Sequence, residues 1–150
     1  TSRAVNGTAA VPTIRELLAD DLPAAFIVVR QLREHLDLEQ FQQRVERQKK
    51  LGYVLYGAFD VDGGLRGVMG MRPVTTLARG DHLHVDDLVV DPAARGAGLG
   101  KALLQFAERW AARHALRAVF LDSRQEVVTF YSALGYSAHT ATLMRKHLDK

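Results

Sequence analysis

The stretch that most constrains the fold is VVDPAARGAGLGKALLQFAERW, residues 89 to 110. Its Asp91-Pro92 pair stops an apolar run, because proline cannot donate to a strand ladder. Glycines follow at 96, 98 and 100, and then Leu103, Ala107 and Trp110 recur at helical spacing as a core-facing stripe. A strand must therefore turn sharply into a helix whose start opens on the glycine loop. Unpaired N–H groups at a helix start form a nest for anions, and glycine lets a phosphate approach with no Cβ in the way. The same glycines also suit a plain tight turn.

Known phosphate loops can be tested against this stretch. A P-loop, G-x-x-x-x-G-K-[ST], needs glycine where Arg95 stands and a hydroxyl where Ala102 stands, so it fails twice. The dinucleotide fingerprint G-x-G-x-x-G fits Gly96 and Gly98 but meets Lys101 at its third glycine, and it comes late in the chain. The pattern R/Q-x-x-G-x-G/A fits Arg95, Gly96, Ala97, Gly98, Leu99 and Gly100 at every fixed position.

That pattern resembles the signature of the GNAT superfamily of acyl-CoA-dependent N-acyltransferases. The block DDLVVDPAARGAGLGKALL is similar to the family's strand, loop and helix along its whole length, and FYSALGY (Phe130 to Tyr136) resembles a second family block at the expected separation. The resemblance is firm over Leu83 to Tyr136 and only topological before it. It implies acetyl-CoA as co-substrate, with the pyrophosphate held by the loop from Arg95 to Lys101. It also implies direct transfer of the acetyl group to a primary amine. The acetyl carbonyl would meet a backbone N–H of Leu88, Val89 or Val90, where the sheet splays.

The period of the apolar residues predicts the order β-α-α-β-β-β-α-β-α-β, an α/β (α+β) domain. With the resemblance, this becomes a mixed, mostly antiparallel twisted sheet with helices on both faces. The expected strands are Thr13–Leu18, Tyr53–Val61, Leu65–Pro73, His82–Val90, Arg117–Leu121 and a last one over Tyr136–Lys146. The expected helices are Asp21–His35, Leu38–Lys50, Lys101–His114 and Glu126–Leu134, with Thr75–Asp81 a loop. Residues 1–12 are expected to be a flexible N-terminus and 13–150 a single domain.

Candidate catalytic groups follow from the chemistry. Tyr131 matches the family tyrosine near the coenzyme sulfur, and a phenol of pKa about 10 can protonate a departing thiolate. An ammonium must lose a proton before it attacks. On strict alternation His82, His84, Asp86 and Leu88 share one strand face and Asp87 the other, unless a splay breaks the pattern. Serotonin-type members of the family are similar here, with two histidines at positions matching His84 and Asp86. The base is left open between His84, Asp86, Asp87 and a water chain. Many relatives carry an asparagine seven residues before the tyrosine. Arg124 stands there instead, either beside a coenzyme phosphate or in solvent, and Asp122 or Ser123 is expected to cap the following helix.

Composition bounds the partners. Apolar residues are 47% and charged residues 25%, enough to bury a core. A net charge of +3 suits an anionic ligand but is too small to imply nucleic acid. Arg44 to Lys50 reads as the solvated end of a helix. With no cysteine, a thioester intermediate on the enzyme and Cys-type zinc sites are excluded, no metal is expected, and a cytoplasmic protein fits. No apolar run approaches the roughly 18 residues of a membrane span. The resemblance implies that acceptor specificity lies in the first two helices, the hairpin loops and the last strand, which here offer Arg30, Arg33, His35, Tyr53, Tyr56, Arg72, His139 and Thr140. Asp86 and Asp87 would favour a cationic amine. A homodimer through the C-terminal part of the sheet follows from the resemblance. A coenzyme A-binding domain without turnover is the alternative.

Overall fold

The computed structural model describes residues 11–149. Most of the expected flexible N-terminus, residues 1–10, lies outside them. Five strands form one sheet in sequence order: β1 (Thr13–Glu16), β2 (Val54–Phe59), β3 (Leu65–Thr76), β4 (Gly80–Val90) and β5 (Val119–Leu121). Successive pairs are antiparallel except β4 and β5, which run parallel across the α3 connection. The four helices are α1 (Leu22–Val29), α2 (Leu38–Lys49), α3 (Leu99–Arg113) and α4 (Val128–Ala133).

The sheet is buried on both faces, as expected. One core packs Ala25, Val28 and Val29 of α1 and Phe41 and Val45 of α2 against Leu55, Val68 and Val89. The other packs Leu99, Leu103, Ala107 and Ala111 of α3 against Met69, Met71, Leu83 and Val85. Asp37 caps α2 through the Gln40 amide at 2.8 Å, and Gln40 returns a bond to the Asp37 amide, a reciprocal capping box. Among the described residues no helix is long and apolar enough to cross a membrane.

Several boundaries differ from the sequence reading. Thr75–Asp81 is mostly strand: β3 and β4 run on to Thr76 and Gly80, leaving a three-residue turn at 77–79. The first helix stops at Val29 instead of His35: the Gln31 and Leu32 amides bond three residues back, to Val28 and Val29, so the ladder tightens into a turn, and the Arg33 side chain beyond it reaches β4. The start of the last helix tightens into a 3-10 turn at Gln125–Val127.

The expected strand over Tyr136–Lys146 does not form. Residues 136–149 lie in neither helix nor strand and are almost wholly exposed. Alternating polarity marks a face, but a strand also needs a neighbour for its amides and carbonyls. The short β5 has none beyond it among the described residues.

Candidate active site

The β4 strand changes face midway. Val85 and Val89 are four residues apart and would share a side on strict alternation. Yet Val85 packs under α3 and Val89 under α1 and α2. The register explains this: Gly70 pairs with Asp87 and Met71 with Val85, so Asp86 is an extra, unpaired residue. This β-bulge re-aims the side chains that follow it. Leu88 leaves the face shared by His84 and Asp86 and packs on the α3 side, while Asp87 joins them. The grouping of His84 with Leu88 is thereby corrected.

Asp87 is held tightly. Buried Tyr53 donates its hydroxyl to Asp87 Oδ2 at 2.7 Å, and Arg33 sits 3.0 Å from Oδ1. Burial first, and then the Asp87 charge, push the Tyr53 phenol well above its ordinary range. Gly70 makes the space, since a Cβ there would overlap the Tyr53 hydroxyl. Asp86 accepts from Arg72 Nε at 2.8 Å. Both carboxylates therefore already hold an arginine.

His84 Nε2 lies 3.8 Å from Asp86 Oδ1 and 3.8 Å from Asp122 Oδ2. His82 is the buried neighbour, 1% exposed, with Nδ1 3.0 Å from the Gly80 carbonyl and its ring against Phe120.

Facing the bulge is the glycine loop. Asp91 accepts from the Ala93 amide at 3.0 Å and starts a 3-10 turn over Pro92–Ala94. Gly96 and Gly98 then take positive φ, +91° and +78°, with open space where a Cβ would point. These two glycines are needed for backbone conformation. Gly100 is different: a Cβ there would come within 3.2 Å of Phe130. Gly98 is the N-cap of α3 and brings no side-chain cap, and the first helical bond runs from Ala102 to the Gly98 carbonyl. The amides of Leu99, Gly100 and Lys101 are thus without helical acceptors and free to receive an anion. The loop fits a pyrophosphate.

A cleft of about 920 Å³ joins the two sides. Leu88, Val89 and Val90 line it from β4; Arg95, Gly96, Gly98, Leu99, Gly100 and Lys101 line it from the loop and α3. Asp86, Arg124 and Tyr131 complete the sequence-predicted set, whereas Ala97 and His84 are not on its wall. His84 reaches it only through Asp86 and Asp122, which are.

The Tyr131 phenol is raised by burial, which outweighs the opposing Arg124 charge, so it keeps its proton through neutral pH. Tyr136, the tyrosine that follows the Gly135 turn, instead donates to Glu108 Oε2 at 2.9 Å. Arg124 lies 3.6 Å from Glu126 and is largely exposed. The expected cap by Asp122 or Ser123 is absent: Arg124 is the N-cap, and Ser123 Oγ donates to its carbonyl. Phe130, named in the sequence only as the start of FYSALGY, packs against Gly100 on the cleft wall, and Gln31 and Leu32, which carry no site signal in the sequence, also line it.

Comparisons with known proteins agree with this arrangement. The profile of the Acetyltransferase (GNAT) family matches residues 11–136. "Uncharacterized N-acetyltransferase YhdJ" of Bacillus subtilis (strain 168) is 32% identical over 124 residues, 80% of this chain and 84% of that protein. The glucosamine 6-phosphate N-acetyltransferase of Trypanosoma brucei brucei is 45% identical over 56 residues, 37% of this chain and 38% of that one. The crystal structure of glucosamine-6-phosphate N-acetyltransferase from Arabidopsis thaliana superposes with a TM-score of 0.75 at 26% identity, covering 93% of this chain and 100% of the other. With the glycine loop and the bulged β4 strand both inside the segment that the profile matches, the chain belongs to the acetyltransferase (GNAT) family.

Proposed function

We propose that this acetyltransferase moves an acetyl group from acetyl-CoA directly to a primary amine, with no covalent enzyme intermediate. One observation carries the reading: the bulged middle of β4 faces the uncapped start of α3 across a single cleft. Acetyl-CoA supplies the thioester. The amides of Leu99, Gly100 and Lys101 hold its pyrophosphate, with Arg95, Lys101 and Arg124 adding positive charge. Because β4 pairs with β5 only as far as Val85, a backbone N–H among Leu88 to Val90 that faces away from β3 polarises the acetyl carbonyl. Tyr131, which lines the cleft and keeps its proton at neutral pH, protonates the leaving thiolate.

Asp86 and Asp87 already accept from arginines, which leaves His84 as the base, reached through water along Asp86 and Asp122. The same reading includes a homodimer through the C-terminal part of the sheet. The open edge of β5 and the exposed Leu143, Met144 and Leu148 support it. Sedimentation of a monomer at all working concentrations would remove the dimer.

The direct test is calorimetry with acetyl-CoA, with NAD and ATP as controls, followed by free-thiol release across a panel of amines. Micromolar binding of acetyl-CoA alone and thiol release with at least one amine are expected. Equal binding of ATP, or release without any amine, would overturn the reading.

A further inference from the structure

A second cavity, about 720 Å³, opens between α1, α2 and β4. It shares Arg33, Asp86 and Asp87 with the cleft, so one molecule can reach from one into the other. Phe41, Val45 and Leu55 give it an apolar floor. His35, Arg44 and Arg47 stand on its wall. Its charge is unbalanced. Asp87 is taken by Arg33 and Asp86 by Arg72, while no ion pair engages Arg44 or Arg47 among the described residues. What remains unpaired is positive.

We propose that the acceptor is a primary amine that also carries an anionic group, a phosphate monoester or a carboxylate. The anion is received by Arg44 and Arg47, and the amine lies toward Asp86 and Asp87. The inference rests on the N-acetyltransferase reading above. Guanidinium groups suit this task because their planar donors match phosphate and carboxylate oxygens in pairs. Arg44 projects from the same turn as buried Phe41 and Val45, which fixes the helix that carries it. A polyamine fits poorly, since its second charge would meet those arginines.

The test uses the full chain and an Arg44→Gln/Arg47→Gln variant, with acetyl-CoA affinity as the check on folding. Calorimetry compares O-phosphoethanolamine with ethanolamine, and glucosamine 6-phosphate with glucosamine; β-alanine separates carboxylate from phosphate. Thiol release is then followed with the same amines and with spermidine. Anionic amines are expected to bind and to react with the higher kcat/KM. The double substitution should lower that advantage about tenfold, the factor set by about 1.4 kcal/mol. Added salt should weaken binding.

Thiol release that favours spermidine or the uncharged partners would overturn the proposal and leave the N-acetyltransferase reading intact. So would equal loss for both members of each pair in the variant, or failure of every anionic amine to bind. Selective binding of anionic amines, lost in the variant but with no thiol release by any amine, would keep the anion seat and overturn the transferase reading.

Discussion

The two walls of the cleft are built in opposite ways. On the loop side, Arg95 to Lys101, neighbouring residues do the work through their own backbone: positive φ at Gly96 and Gly98, and three free amides at the start of α3. On the β4 side, the work is done by residues far apart in sequence. Asp87 is fixed by Tyr53 and Arg33, and Asp86 by Arg72, while Gly70 clears the space. A local device tolerates change elsewhere in the chain. A device assembled from distant parts fails when any part moves.

The sharpest way to separate the walls is Gly98→Asp. Aspartate tolerates a left-handed backbone, so the fold should survive at a cost of about 1–2 kcal/mol. Its carboxylate would enter the anion nest, and acetyl-CoA affinity should fall by about 100-fold or more while amine binding persists. Calorimetry with each ligand reads this directly; unchanged acetyl-CoA affinity would show that the loop is only a turn.

Tyr131→Phe comes next. Loss of a general acid should lower kcat by about 100-fold, with acetyl-CoA affinity within about twofold. Because burial raises the phenol above its ordinary value of 10.0, the wild-type activity should show no loss from this group until the pH exceeds about 10. An unchanged kcat would take Tyr131 out of the chemistry.

Gly70→Ala tests the other wall. The new methyl would displace the Tyr53 hydroxyl, and overpacking of this kind costs about 1–3 kcal/mol. Denaturant unfolding should show that loss, and the amine KM should rise while acetyl-CoA affinity holds. A neutral result would mean that the bulge adjusts freely.

The smallest effect is expected far from both walls. Asp21 accepts two bonds from Arg15 and one from the Leu18 amide, which lower its carboxyl from 3.8 to about 2. A depressed carboxyl adds stability above its unfolded pKa and loses it as the pH falls through the folded value. Stability from this group should therefore fade between pH 4 and 2, and Asp21→Asn should flatten that slope. A thermal melt series in acid checks it.

The legibility of each region follows from the same contrast. The loop could be read because its determinants are contiguous: glycine spacing, the Asp-Pro stop and the helical stripe behind them. The helix that ended early at Val29 and the strand that failed to form over Tyr136–Lys146 were both misjudged for want of a partner. The ladder tightened into a turn at Gln31 and Leu32, ahead of the Arg33 side chain that meets Asp87, and the last segment had no neighbouring strand among the described residues. The extra residue at Asp86 could not be seen, because the alternation of β4 carries no mark of its register against β3.

By itself, the sequence determined the elements whose energy is local: the turn into α3, the α2 helix, the two apolar faces and the glycine loop. Only the tertiary structure decided where the charges of the β4 wall lie. Pairing β4 with β3 around Gly70 set the bulge, and the bulge placed Asp86 and Asp87 against Arg72 and Arg33. The physical reason is that a strand's face is a property of its register with a neighbour, and a carboxylate's free charge is a property of what folds against it.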